Sequence, residues 1–485
     1  MDAQSSRRRT AGRMDVASVL QGAFLLALVL SPLWYGGVSQ VAWALNAVVF
    51  ALLLAWMAIY PGNGEALRIP PVWIAAQTLG FLAVMAWAAL QAAPFTPSSL
   101  HHPLWQMAAE ALGEPIGGAI GLDPWSTVTY LARFFTVAVV FALAVRLSAA
   151  PAMARRIMLA VALSATLCSI YALLDIALDG RHVLFREKNP YTIASFGNYA
   201  AGPFVNSTHF AAFAGIGLVA LAAHAIGAAA GFVSDAGGTA RKRLAALLRQ
   251  PLGGPLLLVG MLAINTVAIA LSTSRAAFAC VLAGLLTVGL IYTLRQRRRI
   301  LTGAIAIAAA GIFLALIDSF STISSARADT LDDALGLRVA VYRLVLQAIG
   351  DNPLTGVGLG AFKAAFPLYR DASAGTLGTW NAAHDTYLEL AMTLGAPAAL
   401  LLLAVVTAIA LRCMAGALVR RRDAVTPIAA SAAAVQLALH SLIDFPLQTD
   451  AVSIGFAALL GAGLAQSWSS QPARVTTPRR SASRQ

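Results

Sequence analysis

Charge is scarce in this 485-residue chain: Asp, Glu, Lys and Arg make up only 11% of it, against roughly 25% in a soluble globular domain. With 59% hydrophobic residues and a mean hydropathy of +0.74, the chain has too little polar surface for water and needs lipid as its solvent. Cysteine is scarcer still. Cys168, Cys280 and Cys413 stand far apart, within or at the ends of apolar segments and without metal-ligand spacing, so they read as packing residues and predict neither a disulfide nor a metal site. The net charge of +13 does not imply nucleic acid as a partner. The arginines fall in short clusters between apolar runs instead of forming one basic face.

Twelve apolar stretches approach the length of about 20 residues needed to cross a bilayer. They cover residues 16–34, 41–60, 71–92, 127–147, 157–178, 209–232, 254–272, 276–294, 300–317, 396–412, 425–442 and 452–468. The Arg7 to Arg9 cluster and Arg13 before the first stretch resemble the start of a signal peptide, but the run is long, lacks a convincing cleavage site and is followed by many equivalent spans. The expected fold is therefore all-α: a polytopic integral membrane protein of about twelve helices. Residues 1–15 form a basic cytoplasmic tail, 16–468 a single transmembrane domain, and 469–485 a disordered cytoplasmic tail.

Orientation follows from where the basic residues accumulate, because Lys and Arg favour the cytoplasmic side. With the N-terminus inside, every alternate segment carries them: Arg68; Arg146, Arg155 and Arg156; Arg241 to Arg243; Arg295 and Arg297 to Arg299; Arg420 to Arg422; and Arg474 onward. The outward segment 93–126 has Glu110, Glu114 and Asp123 but no Lys or Arg. Two outward segments break the rule. One holds Arg181, Arg186 and Lys188; the other, 318–395 between the ninth and tenth spans, holds Arg327, Arg338, Arg343, Lys363 and Arg370. Anion binding is the obvious reason for such exceptions.

A loop longer than about 15 residues without structure of its own is uncommon unless functional, so 318–395 should fold. Leu337, Val341, Leu344 and Val345 recur at helical spacing and Gly350-Asp351-Asn352-Pro353 supplies a stop, which predicts an amphipathic surface helix over 336–349 with Arg338 near its start. Gly356-Val357-Gly358-Leu359-Gly360 lacks the preceding strand and the spacing of a nucleotide loop; it reads as a tight turn that lets backbone approach backbone. His384-Asp385-Thr386-Tyr387-Leu388-Glu389 admits two readings. Asp385 could cap a helix with His384 incidental beside it, or His384 could serve as general base for an alcohol nucleophile. His101-His102, the nearest metal candidate, lacks carboxylate partners.

The run from Asp351-Asn352-Pro353 through Gly356 to Phe362, then His384 to Glu389 and Gly395-Ala396-Pro397, resembles the core of the O-antigen ligase and polymerase family, over about 262–411. The resemblance implies a membrane glycosyltransferase of the bacterial inner membrane. Such an enzyme works at the periplasmic face, without metal or other cofactor, and moves an undecaprenyl-pyrophosphate-linked glycan onto an acceptor hydroxyl. Partners implied are that lipid-linked donor, a glycan or lipid A-core acceptor, and the bilayer. It implies three site residues: Arg275 after Ser274, Arg338, and His384. Tyr342 stands where a Trp is common, Gly202 to Asn206 matches a family element of unclear role, and His440 to Pro446 resembles a motif to which no catalytic role is given. A twelve-helix transporter is the alternative reading, disfavoured by the long outer loop and by the absence of charge from the middle of most helices.

Overall fold

The computed structural model describes residues 2–60, 66–178, 182–183, 186–187, 199–235, 253–296, 328–375, 378–420 and 422–468. Its helices are α1 (Asp2–Leu30), α2 (Gln40–Ile59), α3 (Pro71–Ala92), α4 (Pro103–Leu112), α5 (Pro124–Leu147), α6 (Pro151–Leu178), α7 (Ser207–Asp235), α8 (Gly253–Leu271) and α9 (Arg275–Gln296). They continue with α10 (Ala328–Asp351), α11 (Phe362–Ala365), α12 (Thr386–Leu394), α13 (Ala396–Val419), α14 (Val425–His440) and α15 (Asp450–Ala465). Among the described residues the sole sheet is a two-residue antiparallel ladder pairing His182–Val183 with Arg186–Glu187, so the protein is all-α.

Eight of these helices are long and apolar enough to cross a membrane, and Val16–Leu30, α14 and α15 are shorter apolar helices. Together they account for eleven of the twelve expected stretches. The ninth, 300–317, lies outside the described residues, as do the basic loop 236–252 and the tail 469–485. Local chemistry sets the ends. Ser39 caps α2 by accepting from the Ala42 N–H, Asp123 caps α5 through Ser126, and Pro71 and Pro124 open α3 and α5, where a missing N–H costs nothing.

At the centre, α6, α7, α14 and α15 are enclosed by α5 and α9, with Phe24, Phe204, Phe210, Phe213 and Ile216 fully buried. Small residues permit the approach: a side chain at Gly215 would meet Val281 and Gln436, and one at Gly284 would meet Val219 and Ala432. Asn265 is buried, yet it donates to Thr166 Oγ1 and the Met261 carbonyl and accepts from Ser169, which satisfies it in an apolar setting. The end of the bundle remote from residue 384 is closed by arginines: Arg295 donates to the Ala417 and Arg420 carbonyls and Arg420 to those of Gln466 and Trp468. These are helix C-termini, whose unpaired carbonyls and dipole favour cations.

The described residues from Ala328 to Leu394 fold into a lobe with its own core of Val341, Leu344, Val345, Phe362, Phe366 and Met392. Its first helix begins at Ala328, earlier than the expected 336. Gly336 does not break the helix, which continues on both sides of it. The glycine turn follows. Gly356, Gly358 and Gly360 all have positive φ, and a Cβ on Gly356 would collide with the backbone of Thr393 and Gly395. That closeness lets Val357 and Gly358 donate to the Met392 and Thr393 carbonyls, while Gln91 of α3 donates to Thr355 and Thr393 and accepts from the Leu359 N–H. The lobe is thereby strapped onto the bundle.

Candidate active site

His384 sits at the junction of lobe and bundle, where its backbone is held from several sides. Its φ of 56° is in the left-handed region, uncommon for a residue with a Cβ. Asp385 caps α12 by accepting from the Tyr387 and Leu388 N–H groups at 2.8 and 2.9 Å. One residue before His384, the Ala383 N–H donates to Glu389 Oε2 at 2.8 Å. Tyr342 on α10 donates its hydroxyl to the His384 carbonyl at 2.8 Å. Glu389 is fully enclosed: burial pushes its carboxyl up to about 7, against the Ala383 N–H and the Gln448 amide that pull it back.

The ring of His384 points at the turn between α14 and α15. Its Nδ1 lies 3.1 Å from Asp444 Oδ1, and the Asp444 side chain is 3% exposed while that of His384 is 25% exposed. The rings of Trp380 and Phe445 flank it edge-on at 5.6 and 4.9 Å. Burial opposes charge on Asp444, but the imidazoles of His209 and His384 outweigh it and hold the carboxyl well below the usual carboxylate range. An ionised carboxylate only accepts, so His384 Nδ1 carries the hydrogen and donates it, which leaves Nε2 as the basic nitrogen. The turn itself is tied to the lobe, since Thr386 N–H donates to the Ser441 carbonyl and Thr386 Oγ1 to that of Asp444.

Two of the three expected site residues meet here. Arg338 donates from Nη1 to the Ile443 carbonyl at 2.9 Å, beside Asp444, and Tyr342 stands one turn further along the same face of α10. Arg275 is exposed at the first residue of α9. The contacts of Gly215 with Val281 and Gln436 fix the level of α7, α9 and α14; counting back along α7 and α9 reaches His209 and Arg275 together, and counting forward along α14 reaches His440. Arg275 therefore belongs to the site-bearing end of the bundle. Other exceptional basic residues are used locally. Arg370 donates to the Gly375 and Gly378 carbonyls, and Arg343 pairs with Asp371 at 3.7 Å. Arg181, Lys188 and Arg327 lie outside the described residues.

Asp444, His209 and Phe445 were not among the expected site residues. The available signal was a carboxylate just beyond the end of the span 425–442, at the end expected to face outward, in the same motif as His440. Among the described residues no three or more His, Cys, Asp or Glu are grouped so as to hold a metal ion; His101 instead bonds Thr96, and His102 caps α4.

These features define a multi-pass α-helical membrane protein with a histidine–carboxylate pair and an arginine gathered where a folded lobe meets the bundle. Residues 259–403 match the family model described as O-Antigen ligase, so this part of the chain is similar to that family. The match takes in Arg275, Arg338 and His384 and ends before Asp444. No curated protein matches the chain.

Proposed function

We propose that the protein transfers an undecaprenyl-pyrophosphate-linked glycan to an acceptor hydroxyl at the periplasmic face of the bacterial inner membrane, as an O-antigen ligase or a polysaccharide polymerase. The observation that carries this reading is the His384–Asp444 pair beside Arg338 at the turn between α14 and α15. The acceptor hydroxyl gives its proton to His384 Nε2 as its oxygen attacks the anomeric carbon. The bond from that carbon to the pyrophosphate oxygen breaks, and the lipid pyrophosphate departs with the electron pair. Asp444 stabilises the imidazolium that forms, the role a carboxylate plays behind a catalytic histidine. Arg338 keeps the rest of its planar fork for the anion, and Arg275 supplies a second cation at the same end; charge-assisted contacts of this kind hold pyrophosphate and offset the charge that develops on it. Side chains supply every charge in this scheme, so transfer is expected to persist in chelator.

The test is purified His384→Ala protein given lipid-linked donor and acceptor. A general base contributes typically 10²–10⁴-fold, so turnover should fall by about that factor at unchanged abundance and melting temperature. Near wild-type turnover would defeat the reading and leave His384 as the neighbour of a helix cap.

A further inference from the structure

His209 opens α7, far from the lobe in sequence, yet its ring reaches the same carboxylate oxygen as His384. Its Nε2 lies 3.7 Å from Asp444 Oδ1 with both side chains almost wholly buried, and it has no hydrogen-bond partner among the described residues. Its other nitrogen, Nδ1, is 2.7 Å from Thr449 Oγ1. The buried Thr449 hydroxyl needs an outlet for its hydrogen, and among the described residues that outlet is His209 Nδ1. Thr449 thus donates to Nδ1, which places the ring hydrogen on Nε2, aimed at Asp444. Phe445 wedges edge-on between the two imidazoles, 4.7 Å from one and 4.9 Å from the other. A buried N–H facing an ionised carboxylate at slightly more than bonding distance is the geometry expected of a contact that tightens when substrate closes the site.

We propose that His209 is a positioning residue for the base: oriented by Thr449, it takes part of the Asp444 carboxylate, so that the unit acting behind the reaction is Thr449–His209–Asp444–His384 and not a simple pair. This inference rests on the function proposed above for the importance of His384, but the coupling itself does not. A donor on Asp444 draws its negative charge away from His384. Without that donor, Asp444 holds a protonated His384 more firmly, so the ring stays protonated to higher pH. Among the described residues, the other titratable and charged groups around the unit are His440 on α14, Arg338 and Tyr342 on α10, Asp385 and Glu389 on and before α12, and the Arg133–Asp450 pair beside Thr449; all are retained in the variants below.

The experiment uses full-length protein in nanodiscs. Carbethoxylation of His384 by diethyl pyrocarbonate is followed by peptide mass spectrometry from pH 5 to 8, which separates it from the other histidines. Only the unprotonated ring reacts, so the midpoint of the rate reports its protonation without substrate. His209→Leu should move that midpoint up by roughly half a unit or more. His209→Gln, which keeps a donor, should move it less, and Thr449→Val, which removes the tautomer-setting hydroxyl while keeping the shape, should move it in the same direction as Leu. The acid limb of the transfer rate should move with it. Unchanged midpoints in His209→Leu and Thr449→Val would overturn the proposal, and Thr449→Val serves alone if the leucine variant does not fold. Undiminished transfer by His384→Ala would defeat the proposed function while leaving these midpoints to decide the coupling.

Discussion

Replacing Asp444 with Asn isolates the charge behind His384 from its shape. Asp444 Oδ1 accepts both the His384 ring N–H at 3.1 Å and its neighbour's N–H, from Phe445, at 2.9 Å, and an amide oxygen can take both at the same place. What disappears is the negative charge facing the imidazolium. In a serine-protease triad the equivalent change costs about 10⁴ in kcat. His384 is a quarter exposed, so water screens part of the loss, and a fall of about 10²-fold is expected, or about 3 kcal/mol at 1.36 kcal/mol per tenfold. The pH dependence gives a second, independent sign. Asp444 has its carboxyl held below the usual range, so it is ionised throughout the acid limb of the wild-type rate, and that limb does not report its titration. Without the carboxylate the imidazolium loses its partner, and the limb should move to lower pH even as the plateau drops, opposite to the shift expected on losing His209. Steady-state transfer from pH 5 to 8, with melting curves to separate chemistry from folding, measures both. A plateau within about threefold of wild type, or a limb that stays in place, would show that the pair does not act as argued.

Arg275→Ala and Arg338→Ala should each impair transfer at normal abundance, with Lys rescuing poorly because it lacks the planar fork; normal transfer by both Ala variants would remove the anion site. Cys168, Cys280 and Cys413 are buried, so a cysteine introduced at the exposed Ala372 should be the main target of a membrane-impermeant thiol reagent in outer-membrane-permeabilised cells. One at Ser234 should not react, and the reverse pattern would invert the topology. Glu389 has a folded-state value of about 7 against an ordinary 4.5, so protonation favours the fold: its contribution is fully present below about 4.5 and lost as pH rises through about 7, a swing of about 3 kcal/mol. Thermal melts should show Glu389→Gln flattening that dependence, with Gln448 turning its amide to suit; an equal slope in the variant would place the effect elsewhere.

Apolar runs made the helices legible, since a span must satisfy its backbone internally and so must be long and continuous in sequence. Ends were legible where a cap or stop is local, as at Asp385 and at Gly350 to Pro353. The start of α10 was not, because aspartates and Gly336 interrupt the apolar pattern there. The site was legible in its lobe and opaque in its bundle. His384 and Arg338 lie near recognisable turns, whereas Asp444 reaches His384 across 60 residues and His209 reaches Thr449 across 240. Nothing in local spacing encodes such meetings. The close helix contacts at Gly215, Gly284 and Gln436 set the helix levels and so create them, through packing that has no sequence period of its own.

The helix cap of the first reading of the His384 to Glu389 segment is present, and on the proposed function it serves the second. A capped helix start requires the residue at the cap to leave helical geometry, and here the departure extends one residue back, giving His384 its left-handed φ. Such a conformation costs on the order of 1–3 kcal/mol and persists only where its surroundings over-determine it. Those surroundings are the Asp385 cap, Glu389 on the Ala383 N–H, Tyr342 on the His384 carbonyl, and the Thr386 bonds to the α14–α15 turn. Each constrains backbone, and together they hold the main chain from which the ring reaches Asp444. A residue that merely neighboured a cap would gain nothing from that expense. On the proposed function the cap aims the imidazole, so weakening it by Asp385→Ala should lower transfer more than it lowers stability.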